Sequence, residues 1–151
     1  MNETRKVEVK TTLSVQSKEI IAAFTNPEML REWWGVQETL IDKRPGGLYT
    51  LTWDIDDHGF GYVSTGIIKE YHPESTLIIE NFVYLNPTIP ILGPMSLTIK
   101  AKKKDTGAEL YICQEGYQEG ANWDWYFEAV TEAWPMVVDG LREYLEKNDK
   151  E

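Results

Sequence analysis

The sequence predicts an α+β fold: a curved antiparallel sheet of about six or seven strands held against one long C-terminal helix, with two short helices after the first strand. Three observations predict it. Between Asn122 and Glu151, Trp123, Tyr126, Phe127, Val130, Trp134, Val137, Val138, Leu141, Tyr144 and Leu145 recur at three- and four-residue steps, one apolar stripe on a helix. Much of the chain before it alternates apolar and polar residues, the period of strands with one wet face. Strands and helices are also segregated along the chain, which favours antiparallel pairing over βαβ units.

Lys6 to Leu13 puts Val7, Val9, Thr11 and Leu13 on one face and Glu8, Lys10 and Thr12 on the other. Ser17 is expected to cap a short helix that buries Ile20, Ile21 and Phe24. Asn26-Pro27 stops it, because the residue before proline avoids the α region. Pro27 then suits the first turn of a second helix, Glu28 to Trp34, which Gly35 ends. Strands are expected over Val36–Ile41, Leu48–Trp53, Phe60–Glu70 and Thr76–Tyr84, with turns at Arg44–Gly47 and His72–Ser75. Gly66, central in its strand, marks a bulge or a close backbone approach. Asn86–Pro94 has three prolines and a glycine and reads as a loop, although Ile89, Ile91 and Leu92 make it apolar. Met95 to Lys102 alternates again; Lys104–Gly107 turns the chain and Ala108–Tyr117 pairs back. The long helix covers about 122 to 147, roughly 39 Å at ~1.5 Å per residue. Pro135 lies inside it and predicts a kink, unless the helix starts later. Asn148 to Glu151 reads as a frayed tail.

The totals restrict function. A chain of 151 residues suits one domain, residues 1–151, with a core that needs no staples. A formal net charge of −10 argues against a nucleic-acid partner, which asks for clustered Lys and Arg. The single Cys113 excludes an internal disulfide, and no apolar run approaches a membrane span or a signal core. These features lead us to expect a cytoplasmic protein. No Walker loop, GxGxxG, HExxH or GxSxG occurs, so no cofactor is expected. His58, with Asp54, Asp56 and Asp57, gives too few ordered ligands for a calcium loop, and no metal is expected. Cys113 has no histidine near it in sequence and reads as a small core residue.

Four pieces carry a resemblance. Pro27-Glu28-Met29-Leu30 is followed by Trp33-Trp34, and Gly46-Gly47-Leu48-Tyr49 by Gly66-Ile67-Ile68-Lys69-Glu70-Tyr71-His72-Pro73 with Leu77. Ala133-Trp134 and Leu141-Arg142-Glu143-Tyr144-Leu145 complete the set. In this order they resemble the SRPBCC, START-like (Bet v 1-like) superfamily, and most closely the heat-shock-protein-90 ATPase activator homologue family. The resemblance spans about Val7 to Leu145. It implies a helix-grip: a curved sheet around a long C-terminal helix, with a cavity between them. Where many members have His-x-Gly-aromatic on the last strand, this chain has Gln114-Glu115-Gly116-Tyr117.

Given such a cavity, the candidate ligand-binding residues are Trp34, Tyr49, Trp53, Tyr62, Gln114, Trp123, Phe127 and Trp134. Aromatic side chains are common in pockets and in solid cores alike, so a filled core is the competing expectation. Strand parity sets Leu110, Ile112 and Gln114 on one face, so Gln114 turns toward the helix if its neighbours do. Its amide then needs a partner, either a tyrosine hydroxyl or a ligand carbonyl. Trp123, Phe127 and Trp53 are expected to meet at the cavity mouth with the loop Asp54–Gly59. The leading expectation is a small-molecule binding protein for an apolar, aromatic or acyl ligand. A protein–protein adaptor, as the resemblance to a chaperone activator implies, would instead use an exposed face such as Asn86–Pro94. An enzyme with Tyr62 or Glu115 as acid or base ranks last, since no set of nucleophile, base and orienting group can be read.

Overall fold

The computed structural model describes residues 5–54 and 61–149. The chain runs β1 (Lys6–Leu13), α1 (Ser17–Thr25), α2 (Pro27–Trp34), β2 (Glu38–Ile41), β3 (Leu48–Trp53), β4 (Tyr62–His72), β5 (Thr76–Leu85), β6 (Leu92–Lys104), β7 (Gly107–Glu115) and α3 (Ala121–Asp149). All seven strands form one antiparallel sheet in the order β1-β7-β6-β5-β4-β3-β2. Apart from β1, whose place beside β7 makes it the far edge, sequence neighbours are spatial neighbours. This is the α+β architecture expected from the segregated elements.

Local chemistry explains most boundaries. Gln16, not Ser17, caps α1: its backbone N–H donates to Glu19 Oε2 at 2.9 Å, the reciprocal half of a capping box, and Ser17 is the first helical residue. Asn26 closes α1 and opens α2, its Oδ1 accepting from the N–H groups of Glu28 and Met29. Gly35 ends α2 in the left-handed conformation at φ 72°. β2 starts at Glu38 rather than Val36, because Val36 is buried and its N–H bonds back to Leu30. β4 runs on through His72, whose ring lies 3.1 Å from Glu70 Oε1 on the strand, so the turn begins at Pro73. Gly66 sits at a register shift between Thr65 and Ile67, and a Cβ there would fall 2.9 Å from the Glu80 carbonyl oxygen. Leu92 to Pro94 join β6 rather than the preceding loop, since Leu92 is buried and pairs with Tyr84. β7 ends at Glu115, two residues before the expected Tyr117, where Gly116 takes φ 104°.

α3 is continuous through Pro135, two residues longer at its end than expected. Its stripe is covered as the periodicity requires: Trp123, Tyr126, Val130, Trp134, Val138, Leu141 and Leu145 are buried, and Phe127, Val137 and Tyr144 half-buried. The core joins this stripe to inward residues of the sheet, among them Leu51, Leu77, Ile79, Leu97, Ile99, Leu110 and Ile112. α1 and α2 complete the core through Ile20, Ile21, Phe24 and Leu30. Polar ties fix the far half of α3 to β1: Arg142 donates to the Thr12 carbonyl and to Thr11 Oγ1, and Glu146 accepts from the Ser14 N–H. Among the described residues no helix is long and apolar enough to cross a membrane.

Trp134 is the stripe residue that both packs and bonds. It lies 5.7 Å from Trp34, ring to ring, and its indole N–H donates to Gln114 Oε1 at 2.9 Å. Trp134→Ala removes a large apolar surface and leaves a buried amide oxygen unpaired, so it should cost about 3–5 kcal/mol. Guanidinium denaturation checks this; a loss under about 1 kcal/mol would show that the helix does not depend on this contact.

Candidate functional site

Between the sheet and the first half of α3 lies a cavity of about 360 Å3. β3 contributes Tyr49, Leu51 and Trp53, alternate residues of one strand face. β4 and β5 add Tyr62, Ser64, Phe82 and Tyr84, and β6 and β7 add Leu97 and Gln114. Trp34 closes one side from the end of α2. The roof is α3, through Trp125, Tyr126, Ala129, Val130, Ala133, Trp134 and Val137. No Asp, Glu, Lys, Arg or His lines it among the described residues.

A run of ring contacts borders this space. Trp33 stacks on Trp34 at 5.0 Å, Trp34 meets Trp53 edge-on at 5.3 Å, and Trp53 stacks on Tyr62 at 5.2 Å. Tyr62 then meets Tyr84 at 6.3 Å, and Tyr84 stacks on Tyr126 at 4.7 Å. Several donors in and behind this wall are already used. Trp33 Nε1 donates to the Ala23 carbonyl, Trp53 Nε1 to the Trp34 carbonyl, and the Tyr49 hydroxyl to the Phe24 carbonyl at 2.6 Å. These bonds hold the rings in place and leave their faces to the cavity.

Gln114 is 2% exposed and sits on β7 between Val7 of β1 and Leu97 of β6. Its Oε1 accepts from Trp134 Nε1, and its Nε2 donates to the Tyr126 hydroxyl at 2.9 Å. Nε2 also lies 3.6 Å from Met95 Sδ. The tyrosine partner anticipated for this amide is Tyr126. Burial pushes the Tyr126 hydroxyl well above its ordinary pKa, and the neighbouring Tyr84 adds to the effect against the bond from Gln114. Tyr62, at the rim, is also raised, by burial first and then by Asp54 and Tyr84. Both are therefore neutral hydroxyls at physiological pH.

Of the sequence-derived candidates, Trp34, Tyr49, Trp53, Tyr62, Gln114 and Trp134 line the cavity. Trp123 and Phe127 do not. They pack around Tyr117, Phe127 edge-on at 5.0 Å and Trp123 at 6.3 Å, and the Arg5 guanidinium lies 4.9 Å from the Phe127 ring centre. At roughly 100° per residue Phe127 lies on the flank of the stripe away from Trp125, Ala129 and Ala133, whereas Trp123 shares the azimuth of Val130 and stands two turns nearer the start of α3, against Tyr117. The expected meeting of Trp53 with Trp123 and Phe127 at one mouth therefore does not occur. His58, Asp56, Asp57 and the rest of the loop assigned to that mouth lie outside the described residues, apart from Asp54.

Among the lining residues that sequence reasoning left out of the site are Tyr126, Tyr84, Ser64, Ala129 and Ala133. Ala129 and Ala133 are one helical turn apart, and their small side chains leave the space that larger ones would fill. That i, i+4 pair of alanines was the available signal. Glu115 is not at the cavity: it faces the opposite side of β7 from Gln114, where its Oε2 accepts from Cys113 Sγ at 3.2 Å. Among the described residues, no three His, Cys, Asp or Glu side chains converge as metal ligands would.

A helix laid against a seven-stranded antiparallel sheet, with a neutral aromatic cavity between them, defines a helix-grip protein. The chain belongs to the family of activator of Hsp90 ATPase homolog 1-like proteins, whose sequence profile matches residues 14–146. No curated protein matches it in sequence. Among solved structures it is similar to ChR145 from Cytophaga hutchinsonii, with TM-score 0.75, 19% identity and both chains covered in full. It is also similar to SA2116 from Staphylococcus aureus, a protein of unknown function, with TM-score 0.75, 14% identity, and 99% and 98% of the two chains covered. CalU16 from Micromonospora echinospora matches with TM-score 0.69 and 17% identity, over 95% of this chain and 76% of its own. At these identities the likeness is one of fold.

Burial first, with Glu115 and Glu8 adding to it, pushes the Cys113 thiol up to about 11 from an ordinary 9.0, against the lowering effect of Tyr111. Since a raised pKa keeps the thiol protonated, the folded protein should react slowly with a thiol-specific disulfide reagent at pH 8, and rapidly once unfolded. The folded-state rate should climb as pH approaches 11. Fast labelling at pH 8 without unfolding would show an exposed, activated thiolate.

Proposed function

We propose that this protein binds an apolar, planar small molecule in the cavity between the sheet and α3. The single observation that carries this reading is a 360 Å3 space, bordered by aromatic faces and free of ionic side chains among the described residues. That volume is within the range of small-molecule sites, which are concave, mostly apolar and fitted with a few polar groups. A bicyclic aromatic burying ~200 Å2 gains about 5 kcal/mol at ~25 cal/mol per Å2, a Kd of roughly 0.1–1 mM before any polar contact. Flat rings suit the walls because Trp34, Trp53, Tyr62, Tyr84 and Tyr126 present ring surfaces to stack on or meet edge-on.

The adaptor reading draws on the family's description and on exposed apolar residues. The loop named for it offers little such surface: Ile91 is 66% exposed, but Ile89 is half-buried and Leu92 is buried. The pattern supports the cavity over this loop as the functional feature.

Titration with neutral naphthalene and anthracene derivatives should quench tryptophan fluorescence along a saturable 1:1 curve and raise the melting temperature. Ala133→Leu, which fills the space from the roof, should abolish binding while the melting temperature holds or rises. If a broad panel of apolar compounds moves neither signal, the cavity is not a binding site and the adaptor reading takes its place.

A further inference from the structure

The hydrogen bonds at the cavity roof have a direction, and the indole sets it. Trp134 Nε1–H can only donate, so the atom of Gln114 facing it at 2.9 Å is the amide oxygen. The amide NH2 is thereby turned toward Tyr126, and it donates to the phenolic oxygen at 2.9 Å. That bond uses the phenolic oxygen as an acceptor and leaves the Tyr126 O–H proton unspent. No acceptor for it exists among the described residues: the hydroxyl's one hydrogen-bond partner is Gln114. Tyr126 is buried and lines the cavity.

Other polar groups of the cavity fit the same pattern. The Tyr84 hydroxyl accepts from Asn86 Nδ2 at 3.2 Å, so it too keeps a proton to give. Among the described residues no carboxylate stands inside to accept a proton, and no cation stands inside to neutralise an anion. Gln114 itself is used up: its oxygen and one N–H are bonded, and its amide nitrogen also faces Met95 Sδ.

We infer that the cavity selects a neutral planar compound carrying a carbonyl oxygen, which accepts a hydrogen bond from the Tyr126 hydroxyl at the inner end of the Trp134–Gln114–Tyr126 relay. This inference rests on the small-molecule reading of the same cavity. Tyr126 is the specificity-determining residue; Gln114 and Trp134 are positioning residues that aim its proton. A hydrocarbon of the same shape leaves that proton unpaired. A carboxylate must leave water for a site with no positive charge, a far larger penalty.

The test uses three probes that share a naphthalene body: 2-acetylnaphthalene, its hydrocarbon counterpart 2-isopropylnaphthalene, and 2-naphthoate. The full chain should bind the ketone and the hydrocarbon, and naphthoate at least 10-fold more weakly than the ketone. Tyr126→Phe should weaken the ketone about 5- to 10-fold and leave the hydrocarbon unchanged. Tyr111→Phe, which removes a hydroxyl bonded to Glu8 on the opposite face of β7, should leave both unchanged. If Tyr126→Phe does not fold, infrared spectroscopy of carbonyl-labelled 2-acetylnaphthalene on the wild-type protein decides the point. Its C=O stretch should lie below the value in an apolar solvent, as hydrogen bonding requires. Equal losses for ketone and hydrocarbon in Tyr126→Phe, an unshifted carbonyl stretch, an equal loss of the ketone in Tyr111→Phe, or naphthoate binding as tightly as the ketone would each overturn the inference while the cavity reading stands. If neither neutral probe binds the wild-type protein, the cavity reading itself fails.

Discussion

The two hydrogen bonds of Gln114 join the last strand to the last helix beside the cavity between them. A buried primary amide is costly unless it is paired, and here Trp134 and Tyr126, two turns apart on α3, take its two ends. The distance between sheet and helix is therefore set by polar geometry as well as by packing. Beyond this point α3 closes on the core through Val138, Leu141 and Leu145, with Arg142 and Glu146 tied to β1 and the residue after it. On the other flank, Ala129 and Ala133 stand back from the sheet and the space remains. The amide clamp holds the helix in place over a gap that dispersion forces alone would tend to close.

The walls of that gap are held from behind. Trp33, Trp53 and Tyr49 each spend their polar hydrogen on a backbone carbonyl of α1 or α2, so the two short helices serve as a rigid backing for the aromatic surface. Phe24 stands edge-on to both Trp33 and Trp34, at 5.3 and 6.0 Å. Locked rings keep the cavity's shape without a ligand, which lowers the ordering cost when one enters. The same arrangement explains why the family's paired tryptophans divide their tasks: Trp33 packs beneath, and Trp34 borders both the cavity and Trp134.

Much of this was legible in the sequence, and the limits have physical causes. Alternation and the long stripe reported the sheet and α3, because burial on one face leaves a period that composition cannot hide. Strand parity put Gln114 on the helix-facing side. Sequence spacing does not report which part of a long, broad apolar stripe lies over a cavity. Trp123 and Phe127 share the stripe with Trp134, yet they face Tyr117 and Arg5 rather than the cavity. Ala129 and Ala133 likewise signify a void only once the residues opposite them are known. Errors at the element ends were local: a capping box involving Glu19 moved the cap of α1 back to Gln16, and buried Leu92 drew β6 into a proline-rich stretch.

The cavity's opening bears on what occupies it in solution. The space of about 360 Å3 opens to solvent at its rim, so without a ligand it is filled by water rather than left dry. Water is a poor tenant against these aromatic walls, where it finds few partners beyond the hydroxyls of Tyr62, Ser64, Tyr84 and Tyr126. Waters held by so few bonds are displaced at a gain by an apolar body. The hydroxyls that wet the empty cavity are also the groups a ligand must satisfy on entering it. A purely apolar ligand gains the wall contacts and loses the hydroxyl bonds, whereas one acceptor oxygen on a flat apolar body retains both.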